Sequence, residues 1–172
     1  MQTGCKSWRR EGSISRLRPF ASDDLDAILD LSIRAWEPVF SSLEQVLGSE
    51  IFLRMHPDWR ADQRRTVEDA CSSEDLSVWV AESASELVGF VGIKTDEESR
   101  LGEVYIVAVD PAHHRSGVGT ALTQLALDEL ADAGMTVAMV ETGGDPGHAP
   151  ARDLYEHTGF TLLPVARYFK AL

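Results

Sequence analysis

The feature that most constrains this chain is the run at residues 107–122, Val-Ala-Val-Asp-Pro-Ala-His-His-Arg-Ser-Gly-Val-Gly-Thr-Ala-Leu. A β-branched segment ends at Asp110-Pro111, a loop turns, and Gly117 and Gly119 open an amphipathic helix. Strand, glycine loop and helix in that order commit the chain to an α/β unit in which a helix begins beside a strand end. The glycines let backbone approach a ligand with no side chain in the way. The amides of Arg115, Ser116, Gly117, Val118, Gly119 and Thr120 then point outward at the positive end of the helix dipole. That makes an anion cradle suited to a pyrophosphate. The same residues also read as a plain strand-to-helix turn, because Gly-x-Gly alone is a weak signal. A dinucleotide fingerprint needs a further glycine where Leu122 stands, and a Walker loop needs a Gly-Lys-Thr end that is absent.

The elements around this unit follow from periodicity. Arg16 and Arg18 alternate with Leu17 in a short strand that starts near Ile14 and ends at Pro19. Ser22 with Asp23 and Asp24 marks a helix start. Leu25, Ile28, Leu29, Leu31, Ala35 and Trp36 keep helical spacing, and Pro38 is expected to close that helix. Residues 39–75 read as further helix, clearest over 61–71 and broken at Pro57. Residues 78–84 and 87–95 form a hairpin turning near Ser85-Glu86, and 103–109 a third strand. A helix over 120–133 is capped by Gly134, a strand covers 137–141, and a short helix spans 151–157. Residues 160–163 and 165–169 are expected as two closing strands around Pro164. The pattern is a mixed α/β sheet with helices on both faces, one domain over residues 13–172 after a loose tail at 1–12.

Composition narrows the function classes. A chain of 172 residues suits a single core. Its longest apolar stretches are strand-sized, too short to span a bilayer. The basic start MQTGCKSWRREG lacks the apolar run of a secretory signal. Cys5 and Cys71 are two and far apart, which indicates neither a disulfide framework nor a metal site. A cytoplasmic location is therefore expected. Net charge is −12, and the first twenty residues carry five basic side chains against one acidic, so the remainder stands at −16. An acidic body disfavours nucleic acid as a partner. It attracts a cationic acceptor such as an amine, or simply keeps the chain soluble.

A second motif, Ala151-Arg-Asp-Leu-Tyr155-Glu-His-Thr-Gly159-Phe160, is a short helix that stops at glycine and feeds an extended segment. Taken alone, Tyr155 reads as helix packing. With the glycine loop before it, the chain resembles the GNAT superfamily of acetyl-CoA-dependent N-acetyltransferases. That family's loop reads Gln or Arg, two residues, Gly, one residue, Gly or Ala; its later helix reads Asn-x-x-Ala-x-x-Leu-Tyr-Glu-x-x-Gly-Phe. The hairpin strand Leu-Val-Gly-Phe-Val-Gly from Leu87 is also typical of it.

The resemblance implies the GNAT acyltransferase fold, with a mostly antiparallel central sheet, and acetyl-CoA as co-substrate without a metal. Backbone at Val107, Ala108 and Val109 would align the pantetheine arm, and the amides from Arg115 to Thr120 would hold the pyrophosphate. Tyr155 would protonate the departing thiolate. Glu103 would take the proton of the incoming amine, directly or through water, with Glu141 as the alternative. Attack would be direct, without an acyl-enzyme. The implied activity is transfer of acetyl to a primary amine of a small molecule or protein; the alternative is a non-catalytic acyl-CoA sensor on the same fold. A homodimer is compatible with the sequence. Two positions depart from the pattern: His114 stands where the loop has Gln or Arg, and His148 where the later helix has Asn. Both are expected to bind the cofactor as hydrogen-bond donors. The glycine-rich segment 142–150 is expected to border the acceptor site.

Overall fold

The computed structural model describes residues 16–172. The expectation for the tail at 1–12, and the part of the first strand near Ile14, lie outside the described residues. A five-stranded sheet runs in the order β1-β2-β3-β4-β5, formed by β1 (Arg16–Pro19), β2 (Leu76–Ser83), β3 (Glu86–Asp96), β4 (Leu101–Val109) and β5 (Val137–Val140). The first four strands are antiparallel neighbours, and β5 joins β4 in parallel. The expected mixed, mostly antiparallel α/β architecture is therefore what the chain adopts.

Alternation along the strands builds two cores. Ala81, Val91 and Val104 face Val118, Leu122, Ala126 and Leu130 of α4 (Val118–Asp132). Val80, Phe90, Ile106 and Ala108 face Ile28, Leu29, Leu31 and Val67, which come from α1 (Leu25–Leu47) and α3 (Trp59–Ser72). Adjacent residues such as Val80 and Ala81 serve opposite cores, the period of two that a sheet covered on both faces requires. The short α2 (Ser49–Met55) follows α1, and Asp58 caps α3 by accepting from the Ala61 amide at 3.1 Å. The hairpin turns at Ala84-Ser85, with φ of 48° and 70°, one residue earlier than the sequence suggests.

Two expectations are overturned. Pro38 does not end the first helix, since α1 continues to Leu47 and stops at Gly48. Proline removes one backbone donor. Burial of Leu31 before it and Ser42 after it holds the helix against the rest of the molecule on both sides of that gap. The closing strands at 160–163 and 165–169 do not form, and residues 160–172 have no regular secondary structure. Their apolar side chains suit a strand, but a strand needs a partner edge. Among the described residues this segment pairs with no strand, and Leu163 is 80% and Tyr168 91% exposed.

Candidate active site

Strand β4 organises the site. Its pairing with β5 covers only Leu101 to Val104, the last pair being Val104 with Val140. From Tyr105 to Val109 that edge has no strand partner among the described residues, so the side of β4 away from β3 is not paired to a strand beside Val107–Val109. A bulge marks the place where the strands part, because the β3 register shifts between Gly92 opposite Ile106 and Ile93 opposite Val104.

The open edge leads to the glycine loop. Asp110 ends β4 and caps the next turn by accepting from the Ala112 amide at 2.9 Å. Arg34 of α1 donates to the same carboxylate at 2.6 and 2.9 Å. Burial pushes the Asp110 pKa up, but the Ala112 amide and Arg34 outweigh it and hold the group below its ordinary value. Gly117 caps α4 at φ 86°, a left-handed conformation that side chains disfavour, and a Cβ there would touch nothing within 4 Å. The first intrahelical bond is Ala121 N to Gly117 O at 3.0 Å, which leaves the amides of Val118, Gly119 and Thr120 without helical partners. Gly119 brings α4 against the later helix: a Cβ there would lie 3.2 Å from Leu154 Cδ2. Helix-start amides without intrahelical partners thus follow directly on the β4 stretch that has no strand partner among the described residues. His114 turns its ring back on the strand, with Nε2 3.2 Å from the Val109 carbonyl. Arg115, in a left-handed conformation at φ 61°, and Ser116 complete the loop.

Tyr155 lies on α5 (Ala149–His157), 8% exposed, with its ring edge-on to Phe160 at 5.8 Å between centroids. Burial pushes its phenol up to about 12, so the hydroxyl keeps its proton at neutral pH. Glu103 lies inside the paired part of the sheet, opposite Lys94 on one side and Met139 on the other. Val104 packs on the α4 side, so Glu103 turns to the face shared with α1 and α3. Glu141 follows the last paired residue of β5 and accepts from Arg167 at 3.3 Å.

The sequence reading does not anticipate the network around His148. Asp145 Oδ2 accepts from Ser42 Oγ at 2.7 Å and from the Gly147 amide at 3.0 Å, while Asp145 Oδ1 meets His148 Nδ1. Arg152 donates to the Gly143 carbonyl at 2.6 Å and the Asp145 carbonyl at 2.9 Å. An Asp three residues before a His, within Asp-Pro-Gly-His, is the only local trace of this network. Among the described residues no cluster of side chains suits a metal ion, and no helix is long and apolar enough to cross a membrane.

Residues 33–160 match the family model for the acetyltransferase (GNAT) family. The chain belongs to the GNAT acetyltransferase family. Its curated relatives include the mycothiol acetyltransferase of Amycolatopsis mediterranei, 35% identical over 155 residues, covering 84% of this chain and 46% of that protein. The mycothiol acetyltransferase of Streptomyces bingchenggensis is 30% identical over 134 residues, covering 76% of this chain and 43% of that protein. The chain thus spans about half the length of the curated relatives it matches. Among solved structures, the aminoglycoside 6'-N-acetyltransferase of Acinetobacter haemolyticus shares the fold at a TM-score of 0.65 and 18% identity, covering 91% of this chain and 98% of that one. An N-acetyltransferase of Thermoplasma acidophilum in complex with coenzyme A does so at a TM-score of 0.65 and 16% identity, covering 88% and 92%. In this GNAT domain the helix start at Gly117 follows the stretch of β4 that has no strand partner among the described residues.

Proposed function

We propose that this GNAT domain transfers the acetyl group of acetyl-CoA to a primary amine by direct attack, without an acyl-enzyme. The observation that carries the reading is the continuous track from the Gly117 cradle along the unpaired Val107–Val109 edge of β4. The amides from Arg115 to Thr120 hold the pyrophosphate, and the β4 edge orients the arm so that its thioester lies beside α5. Tyr155, protonated and shielded from water, gives its proton to the departing thiolate. Glu103 receives the cationic acceptor and takes its first proton, directly or through a water; the alternative carboxylate, Glu141, is engaged by Arg167. Neither Cys5 nor Cys71 takes part, and burial pushes the Cys71 thiol up to about 11, which leaves it un-ionised and a poor nucleophile.

The name shared by the curated relatives, mycothiol acetyltransferase, supports a small-molecule acceptor. The acidic body supports a cationic one. The test is amine-dependent release of free thiol from acetyl-CoA, with the product weighed by mass spectrometry. An acceptor heavier by one acetyl group supports the reading; thiol release that ignores the amine contradicts it.

A further inference from the structure

Acetylation of an ammonium removes two protons from one nitrogen, since the cation carries three N–H hydrogens and the amide product one. The roles above give Glu103 one of them. We propose that His148 is the second proton acceptor of this reaction, oriented by Asp145 and, through Asp145, by Ser42. The inference rests on the acetyl-transfer reading.

Burial pushes the Asp145 pKa up, but the bonds from Ser42, His148 and the Gly147 amide more than offset this, so the group sits below its ordinary value and is ionised. An ionised carboxylate only accepts, so the neutral His148 ring carries its hydrogen on Nδ1, the atom that meets Asp145. Nε2 then holds a lone pair. An asparagine at this position offers an N–H donor, as the family pattern supplies. His148 paired to Asp145 offers an acceptor instead, contrary to the donor role expected from the sequence. The replacement changes the chemistry of the position because Asp145 stands beside it.

The ring is also held in place. Asp145 is anchored to α1 by Ser42, and the Gly147 amide donates to Ser42 Oγ at 2.8 Å. A Cβ on Gly143 would collide with both His148 Nδ1 and Asp145 Oδ1, so the pair fills the space this glycine leaves. Among the described residues the charged group bonded to His148 is Asp145 of its own loop, while the guanidinium of Arg152 of α5 is occupied by the Gly143 and Asp145 carbonyls. From α1 the facing group is the Ser42 hydroxyl, which does not titrate. The His148 side chain stays 20% exposed, enough to be reached.

His148 caps α5 and Tyr155 lies seven residues on, about two turns, so both occupy one side of the helix. Long helical side chains lean toward the N-terminus, which brings Tyr155 toward the end that His148 occupies. The ammonium gives one proton to Glu103, and its lone pair forms the C–N bond. The nitrogen, still one proton in excess of an amide, gives that proton to His148 Nε2. The C–S bond breaks, and Tyr155 protonates the thiolate. Tyr155 is reprotonated, and Glu103 and His148 return their protons to solvent, for a net release of one.

The test uses the whole chain with acetyl-CoA and three acceptor probes: glucosamine, spermidine and tyramine. Long-range 1H–15N NMR of the free protein reads the tautomer of His148. The hydrogen is expected on Nδ1, and a ring protonated on Nε2 overturns the proposal, whether or not any probe is acetylated. His148→Asn restores the family's amide. It is expected to keep the acetyl-CoA Kd within about threefold while kcat on the best probe falls about 100-fold at pH 7 and the acid limb of kcat/KM flattens. Asp145→Asn is expected to release the tautomer and lower kcat less. A His148→Asn enzyme with wild-type kcat, or one whose whole loss lies in weaker acetyl-CoA binding, overturns the proposal in favour of a cofactor contact. If the wild-type chain does not bind acetyl-CoA, the acetyl-transfer reading fails first; binding and turnover untouched by His148→Asn defeat this inference alone.

Discussion

Ser42 Oγ donates a 2.7 Å hydrogen bond to Asp145 Oδ2, joining the C-terminal third of the first long helix to the loop before α5 across 103 positions of the chain. The bond fixes the glycine-rich segment against α1.

Gly147 is what allows that approach. A Cβ there would lie 2.6 Å from the Ser42 Cβ and 3.0 Å from the Val39 Cα, inside van der Waals contact with backbone that cannot retreat cheaply. Gly147→Ala is expected to destabilise the fold by about 1–3 kcal/mol, as overpacking does. Urea unfolding of the purified variant checks this; wild-type stability would mean the loop sits farther from α1.

Gly117 tests the cradle. Its surroundings are open, so Gly117→Glu meets no clash, and the strain of a left-handed side chain costs about 1–2 kcal/mol. The chain should still fold, as circular dichroism would show. The carboxylate would stand where anion-binding amides converge, and calorimetry should find acetyl-CoA affinity lost by about 100-fold or more. Unchanged affinity would move the cofactor elsewhere.

Tyr155→Phe separates packing from proton transfer. The ring that meets Phe160 edge-on is kept and only the hydroxyl goes. Because a thiolate leaves fairly well unaided, kcat should fall about 10–100-fold while KM for both substrates changes little. An unaltered kcat would give the proton donation to water.

Much of this was legible because it is local. The strand, the glycine loop and the helix after it lie within sixteen residues, and Tyr155 is found by its place between Leu154 and Gly159. What escaped the sequence depends on distant partners. Pro38 looks like a stop signal, yet packing on both sides of it carries α1 to Leu47. Leu162, Leu163 and Val165 look like strand residues, yet among the described residues they pair with no strand. Glu103 and Glu141 are equal candidates by residue type; only the β4–β5 register puts one inside the paired sheet and the other just past its last pair. Ser42 carries no local sign of its bond to Asp145.

Asp24 links the fold to pH. Arg18 donates to it at 2.6 and 2.8 Å and the Ala21 amide at 2.8 Å. The Arg18 bonds lower its pKa most, burial opposes them, and the net value lies below the ordinary one. A depressed folded pKa adds stability above the unfolded carboxylate value, near 4, and that stability is lost as pH falls through the folded value. Asp24→Asn should therefore cost about 2 kcal/mol at pH 7 and progressively less in acid. Urea unfolding at pH 7 and pH 3 checks this, and an equal cost at both would show that shape rather than charge matters.

The central claim is that the open edge of β4 and the Gly117 cradle bind acetyl-CoA. Calorimetric titration of the whole chain with acetyl-CoA, repeated on Gly117→Glu, tests it most directly. The account predicts saturable one-site binding to the wild-type chain and its loss in the variant. No binding to the wild-type chain, or equal binding to both, would contradict it.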